Sequence, residues 1–127
     1  MNLLLTLYLL CSMTISYVIS VECYNGGQTW GNSAQKEILM DNLDNLCRQL
    51  TGNYPVNTAA SRCMQGEEKP GNQHDFVFRN LANFPRVLTM DVCLKLIKAD
   101  IQACPMGGYV NGKDWFHTSD PNEGECD

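Results

Sequence analysis

The first 20 residues of this 127-residue chain contain no charged side chain, and nowhere in the chain is there a block of Lys and Arg. Nine basic against 14 acidic residues leave a net charge of −5. An acidic chain without a basic block argues against nucleic acid or an anionic membrane as partner. No C-x-x-C pair occurs, which removes the usual zinc spacing, and no metal or other cofactor is called for. The serines Ser33, Ser61 and Ser119 lie in no G-x-S-x-G context, so the serine-nucleophile elbow is missing. Gly26-Gly27 and Gly107-Gly108 lack the following Lys of a phosphate-binding loop. Repeats, low-complexity stretches and interdomain linkers are missing as well. No catalytic constellation stands out, and a non-enzymatic protein is expected.

What the N-terminus does contain is an apolar run, Leu3-Leu4-Leu5 to Tyr17-Val18-Ile19-Ser20. Val18 and Ser20 supply the small residues that signal peptidase needs at −3 and −1, so residues 1–20 read as a secretory signal peptide. No basic stop-transfer cluster follows, so no membrane insertion is expected after cleavage. Residues 21–127 suffice for one compact domain and are too few for two. They hold six cysteines, Cys23, Cys47, Cys63, Cys93, Cys104 and Cys126. An even count behind a signal peptide reads as three disulfides, with 15 connectivities for six cysteines, and as a secreted, extracellular protein. Cys93 and Cys104 fall on one expected helix about 16 Å apart along its axis. A disulfide needs Cα atoms within roughly 7 Å, so these two must bond elsewhere.

Local signals then place the elements. Val21 to Asn32 is Gly- and Asn-rich, a turn-rich opening or short strand. Asn32 or Ser33 can cap a helix to Leu50, because Leu39, Leu43, Leu46, Cys47 and Leu50 repeat at helical spacing. Gly52 would C-cap it, and Pro55 bars continuation. Val56 to Met64 is a strand candidate, and Gln65 to Gln73 reads as a polar loop. Asp75 to Leu81 alternates, with Phe76 and Phe78 on one side and Asp75, Val77 and Arg79 on the other. Thr89 can cap a second helix bearing Cys93, Ile97, Ile101 and Cys104, ended by Pro105 and Gly107-Gly108. Asn111-Gly112 between Tyr109-Val110 and Trp115-Phe116-His117 signals a hairpin with a type I′ turn. Asp120 to Gly124 reads as a final turn. The expected class is α+β, two helices packed on an antiparallel sheet, with αβα layering as a variant.

Binding chemistry is better represented than catalysis. Trp30, Trp115, Tyr24, Tyr54 and Tyr109 fall in or beside loops and the hairpin, with Asn25, Asn32, Asn53, Asn72 and Asn111 close by. A sugar offers a C–H face to a ring and hydroxyls to Asp, Asn and Arg, so this mixture suits a lectin site. The candidates are Trp115, Tyr109, Asn111, His117, Asp75, Arg79 and Trp30. Trp115 and His117 share one strand face opposite Phe116, and only one of those faces can be core. Asp75 and Arg79 form either a surface ion pair or a polar clamp. The histidines, His74 and His117, with Arg79 or Lys113 and with Glu67 or Glu68 able to replace one of them, would be the parts of a ribonuclease if they met at a common point.

Three strings carry a family resemblance: Cys23-Tyr24-Asn25-Gly26-Gly27-Gln28-Thr29-Trp30-Gly31, Cys47-x-x-Leu50-x-Gly52-x-Tyr54 with Asp75-Phe76, and Trp115-Phe116-x-x-x-Asp120-Pro121-Asn122-x-Gly124-x-Cys126. Together they resemble the small secreted fungal glycan-binding proteins of the Y-three-like lectin type, over nearly all of residues 23–126. The resemblance implies a disulfide-stapled α+β domain of two helices on an antiparallel sheet, without enzymatic activity. Its implied ligands are glycans or glycoproteins carrying N-acetylhexosamine. A homodimer through an unpaired sheet edge would be natural for such a fold. The matching residues fix backbone rather than contact sugar, so no sugar contact is transferred. A secreted effector or killer-toxin-like protein directed at a protein target is the second reading.

Overall fold

The period-2 alternation from residue 72 onward is the rule from which the architecture grows. In a computed structural model that describes residues 20–66 and 72–127, Asn72–Asn80 forms the long strand β4 and buries every second residue. The element order is β1 (Glu22–Cys23), α1 (Ser33–Asp41), α2 (Leu43–Leu50), β2 (Gly52–Tyr54), β3 (Ala59–Gln65), β4, β5 (Arg86–Leu88), α3 (Met90–Ala103), β6 (Gly108–Asn111) and β7 (Trp115–Glu123). Five strands make one antiparallel sheet in the order β1-β6-β7-β4-β3, and β2 with β5 make a separate two-stranded ribbon. The fold is α+β, with three helices rather than two among the described residues. The residues expected to form a signal peptide, 1–20, lie outside the described residues except Ser20.

The first expected helix is divided at Asn42. Its side-chain amide donates to the Ile38 carbonyl at 2.9 Å, and its own N–H also turns back to Ile38 and Leu39. An Asn that bonds the preceding turn competes with regular helix, which breaks the run where hydrophobic spacing alone predicts continuity. Asn32 is the N-cap of α1. Its Oδ1 accepts from Gln35 N at 2.9 Å, and Gln35 Oε1 accepts from Asn32 N at 2.7 Å, a reciprocal capping box. Thr89 caps α3 through a bond from Val92 N. The α2 helix ends at Thr51 in extended conformation, so Gly52, at φ +139°, opens β2 instead of capping.

Two turn assignments change. Asn111 is the last residue of β6, paired with Phe116, and the loop is Gly112 to Asp114, closed by a bond from Gly112 N to Trp115 O at 3.1 Å. Asn111 and Gly112 lack the positive φ of a type I′ turn. Seating Trp115 in the core, with Asp114 ion-paired to Arg86, sets this longer connection. The expected final turn is strand: β7 runs through Asp120-Pro121-Asn122 to Glu123. Beyond Ser119 it has no β6 partner, a place where a sheet accepts proline. Of the expected loop, Gln65, Asn72 and Gln73 are strand, and 67–71 lie outside the described residues.

The helices cover one face of the sheet. That inner face presents His74, Phe76, Phe78 and Asn80 from β4 and Trp115, His117, Ser119 and Pro121 from β7. Leu43, Leu46 and Leu50 of α2 and Ile97 and Ile101 of α3 fill the space above it. Each such side chain contributes roughly 1.5–3 kcal/mol on burial. The disulfides are Cys23–Cys104, Cys47–Cys93 and Cys63–Cys126. They join β1 to the end of α3, α2 to α3, and β3 to the C-terminus. Cys93 and Cys104 thus pair elsewhere, as helix length requires. Gly107, at φ +81°, lies so close to Ser119 O and Pro121 that a Cβ would collide with both, and its carbonyl accepts from Tyr24 N at 2.9 Å.

Candidate functional site

One face of α1 is unlike the other helix faces. Gln35, Ile38, Leu39 and Asn42 follow the i, i+3, i+4, i+7 spacing that puts side chains on a single stripe. Only Leu39 of these is fully buried. The stripe looks across a cavity of about 300 Å³ toward Met64, Gln65, Gly66, Asn72 and His74, with Trp30 also in its lining. The opposing residues come from the adjoining ends of β3 and β4, where Met64 and His74 are register partners. The cavity therefore combines apolar walls from Ile38, Leu39 and Met64, aromatic rings from Trp30 and His74, and an amide rim. Such a combination at this size is typical of small-molecule sites.

The rim groups differ in what they have left to offer. Gln65 is committed, its Nε2 donating to Asn72 O at 3.0 Å and its Oε1 accepting from Cys126 N at 2.9 Å. Gln35 spends its Oε1 on the capping box and keeps its two Nε2 donors. Asn42 spends its Nδ2 on Ile38 and keeps Oδ1. The Asn72 amide and the His74 ring nitrogens have no hydrogen-bond partner among the described residues. Burial lowers the His74 pKa below its ordinary value, with the Asp75 carboxylate pulling weakly the other way. At neutral pH the ring is the neutral imidazole, able to give one hydrogen bond and accept another. Trp30 is fixed by stacking on Phe76, with ring centroids 6.2 Å apart, and by Nε1 donating to Cys104 O at 2.8 Å.

The residues expected to meet a sugar separate into two groups. Trp115 and His117 face inward, so the alternative left open by their alternation resolves with Phe116 outside. Trp115 is wedged edge-on between Tyr54 and Phe78. His117 Nδ1 donates to Asp100 Oδ2 at 2.8 Å, and Ser119 Oγ donates to the same oxygen at 2.7 Å. The Asp100 carboxylate on α3 thus meets this face of β7 through one oxygen. Trp30 lines the cavity but is only 2% exposed. None of these three rings can serve as an open platform for a sugar.

Tyr109, Asn111, Asp75 and Arg79 share the outer, helix-free face of the sheet. Phe116, Thr118, Asp120 and Asn122 from β7 and Val77 from β4 stand with them. Tyr24, Tyr109 and Phe116 form a run of tilted rings at 5.8 and 6.3 Å, and Tyr24 and Thr118 hydroxyls are 2.7 Å apart. Asp75 and Arg79 are four strand positions apart with Val77 between them, about 13 Å at strand rise, so they form no clamp. Asp75 instead faces Asp120 across the β4–β7 ladder, and the Asn122 amide donates to both, at 2.8 and 3.3 Å. Burial and the nearby Asp75 charge raise the Asp120 pKa despite the Asn122 bond. Among the described residues no group of three or more His, Cys, Asp or Glu is placed to hold a metal.

The two histidines expected of a nuclease are not brought together. They lie on the same face of neighbouring strands, but His74 pairs with Pro121 and His117 with Phe78, four positions away. That is about 13 Å along the strand. Glu67 and Glu68 lie outside the described residues. The sequence alone does not mark the rim residues Gln35, Asn42 and Gln65, although Asn72 and His74 stand out separately as an amide beside an aromatic and as a titratable ring. The i, i+3, i+4, i+7 stripe of Gln35, Ile38, Leu39 and Asn42 was the available signal. No protein-family model matches the chain, and no curated protein matches it.

Proposed function

We propose that the chain is a secreted carbohydrate-binding protein whose ligands are glycans carrying N-acetylhexosamine, held by one ring in the α1–β3–β4 cavity. The observation that carries this reading is the concave site itself, in which uncommitted amides and an imidazole surround an apolar wall. A sugar ring needs many paired donors and acceptors with a C–H face left over. Gln35 Nε2, Asn42 Oδ1, the Asn72 amide and His74 supply both polarities. Ile38 and Met64 offer an apolar surface for the methyl of an acetamido group. Binding needs no proton transfer or covalent step, so the neutral His74 acts as a hydrogen-bonding group only. Secretion is compatible with three disulfides in a small domain and with no helix, among the described residues, long and apolar enough to cross a membrane.

The test is a glycan array with protein purified from the medium of cells expressing the full chain, alongside the variants Asn72→Ala and Ile38→Lys and the outer-face variant Tyr109→Ala. The expected result is selective binding to related N-acetylhexosamine glycans, competed by free sugar, lost in the two cavity variants and kept in Tyr109→Ala. Loss only in Tyr109→Ala would move the site to the outer sheet face. A blank array with folded protein would end the lectin reading and favour an effector directed at a protein.

A further inference from the structure

Four large apolar side chains that belong to three separate segments stand exposed at one end of the molecule. Val56, Leu81, Phe84 and Val87 are 48%, 39%, 55% and 63% exposed. The fully buried amide of Asn80 gathers their loops. Its Nδ2 donates to Tyr54 O at 3.0 Å, Phe84 O at 2.9 Å and Pro55 O at 3.4 Å, and its Oδ1 accepts from Ala82 N at 2.9 Å. The Pro55–Thr58 turn is closed by its own backbone bond, and Leu81 N bonds Asp114 O in the β6–β7 loop. Apolar side chains on loop tips normally cost solubility, and here they are held out by a dedicated network rather than folded inward.

Charge is sorted along the same axis. No Asp or Glu occurs in residues 51–64 or 76–90, although the chain as a whole is acidic. Arg79, Arg86 and Lys113 border the exposed apolar tips, and the Arg86 guanidinium lies 5.7 Å from the Phe84 ring centroid while also pairing with Asp114. At the opposite end stand Asp75, Asp120, Glu123, Glu125 and Asp127. The two ends of β4, Asn72 and Asn80, are separated by about 27 Å at antiparallel strand rise. The Debye length at physiological salt is about 8 Å, so a surface meeting the basic end is screened from the acidic one. The overall charge of −5 therefore misdescribes what this end presents.

We propose that this end is a docking surface for an anionic lipid bilayer. Val56, Leu81, Phe84 and Val87 enter the interfacial region, and Arg79 and Lys113 meet lipid phosphates and carboxylates, Arg86 being paired with Asp114. Exposed apolar side chains spread over two loops and the edge ribbon, Val56, Leu81 and Phe84 with Val87 of β5, fit a medium that closes around them, whereas a protein hot spot needs a rigid complementary pocket. Each basic residue near an anionic surface adds about fivefold to partitioning, and the apolar tips add burial that salt does not screen. Docking here also sets an orientation. The α1–β3–β4 cavity adjoins Asn72 and His74, at the other end of β4 from Asn80, so a bilayer-bound molecule holds it away from the lipid.

The test is vesicle co-sedimentation of protein purified from the medium of cells expressing the full chain. Phosphatidylcholine vesicles are compared with 3:1 phosphatidylcholine–phosphatidylserine vesicles at low and high salt. The expected result is binding to the phosphatidylserine vesicles that weakens with salt. It should drop about tenfold or more in Phe84→Asp/Val87→Asp and in Arg79→Glu/Lys113→Glu. All four side chains are exposed, and an unchanged thermal transition verifies folding of each variant. Phe84→Trp, read by a bilayer-located quencher, should show the new indole entering the lipid. No sedimentation at low salt, equal binding to pure phosphatidylcholine, or binding unaltered in both double variants would each overturn the proposal. None of these readouts depends on whether the cavity binds sugar.

Discussion

The two faces of the main sheet are made by the same residues of the same strands, alternating one by one, yet they follow different rules. On the inner face the polar groups gather on shared partners: Asn80 makes four contacts, and one oxygen of Asp100 serves both His117 and Ser119, while Asp100 Oδ1 and His117 Nε2 are left without a partner among the described residues. On the outer face polar groups are many and loosely used, and two carboxylates stand opposite each other with only an amide between them. The difference follows from water. A buried group without a partner forfeits its hydration, so Asn80, His117 and Ser119 are each kept on the inner face with a partner. The outer face can carry whatever composition solvent tolerates. The lesson is that polarity in this strand pattern does not by itself identify the outside.

That contrast can be broken most sharply at its two aspartates. Asp100→Ala strands His117 and Ser119 in the core and should cost about 3–5 kcal/mol in chemical denaturation, whereas Asp75→Ala on the outer face should change stability by about 0.5 kcal/mol or less. Equal losses would mean that the outer face is as tightly built as the inner one. The next contrast sets Asn80→Ala against Asn111→Ala. The first leaves the Tyr54 and Phe84 carbonyls without their donor and should cost about 2–3 kcal/mol, and the second should be nearly silent. Thermal melts of the pair measure it.

Titration sharpens the same comparison with smaller effects. Burial lowers the His74 pKa on the inner face, so the folded state holds its proton less tightly than the unfolded chain does. The contribution is complete above the ordinary value of 6.5 and declines as pH falls from there toward the lower folded value. His74→Gln should flatten this part of a stability profile recorded from pH 8 to 5. Asp120 on the outer face behaves oppositely. Its raised pKa makes the carboxylate form the less favoured one in the fold, so stability declines as pH rises from 3.8 through the folded value. Asp120→Asn should therefore melt slightly higher than the parent at pH 7 and no higher below pH 3.8. A destabilised Asp120→Asn at neutral pH would show that the carboxylate is a net contributor.

Where the structure agrees with the sequence, a local rule was sufficient. The caps at Asn32 and Thr89, the Phe76–Phe78 alternation and the two helix stripes each rest on neighbours within one or two turns. Apart from the local break at Asn42 and the uncapped end at Gly52, the departures involve a partner distant in the chain. Trp115 and His117 turn inward because Asp100, Tyr54 and Phe78 meet them there. Pro121 continues a strand because β6 has already ended. The β2–β5 ribbon joins segments more than 30 residues apart, with no periodicity long enough to announce it. The cavity was hidden for the same reason, since α1 supplies one wall and the β3–β4 ends the other. Its amides looked like ordinary surface residues, and only the folded arrangement shows which of their donors and acceptors remain unspent.

The pairing of the cysteines has a topological consequence. Every peptide bond between Cys23 and Cys126 is bracketed by at least one of the three disulfides. A protease that cuts once anywhere in that span opens the chain without freeing a piece of it. The nicked molecule migrates as one species until a reductant is added and then separates into two. Loss of material after a first cut thus requires a second event, a reduction or another cleavage.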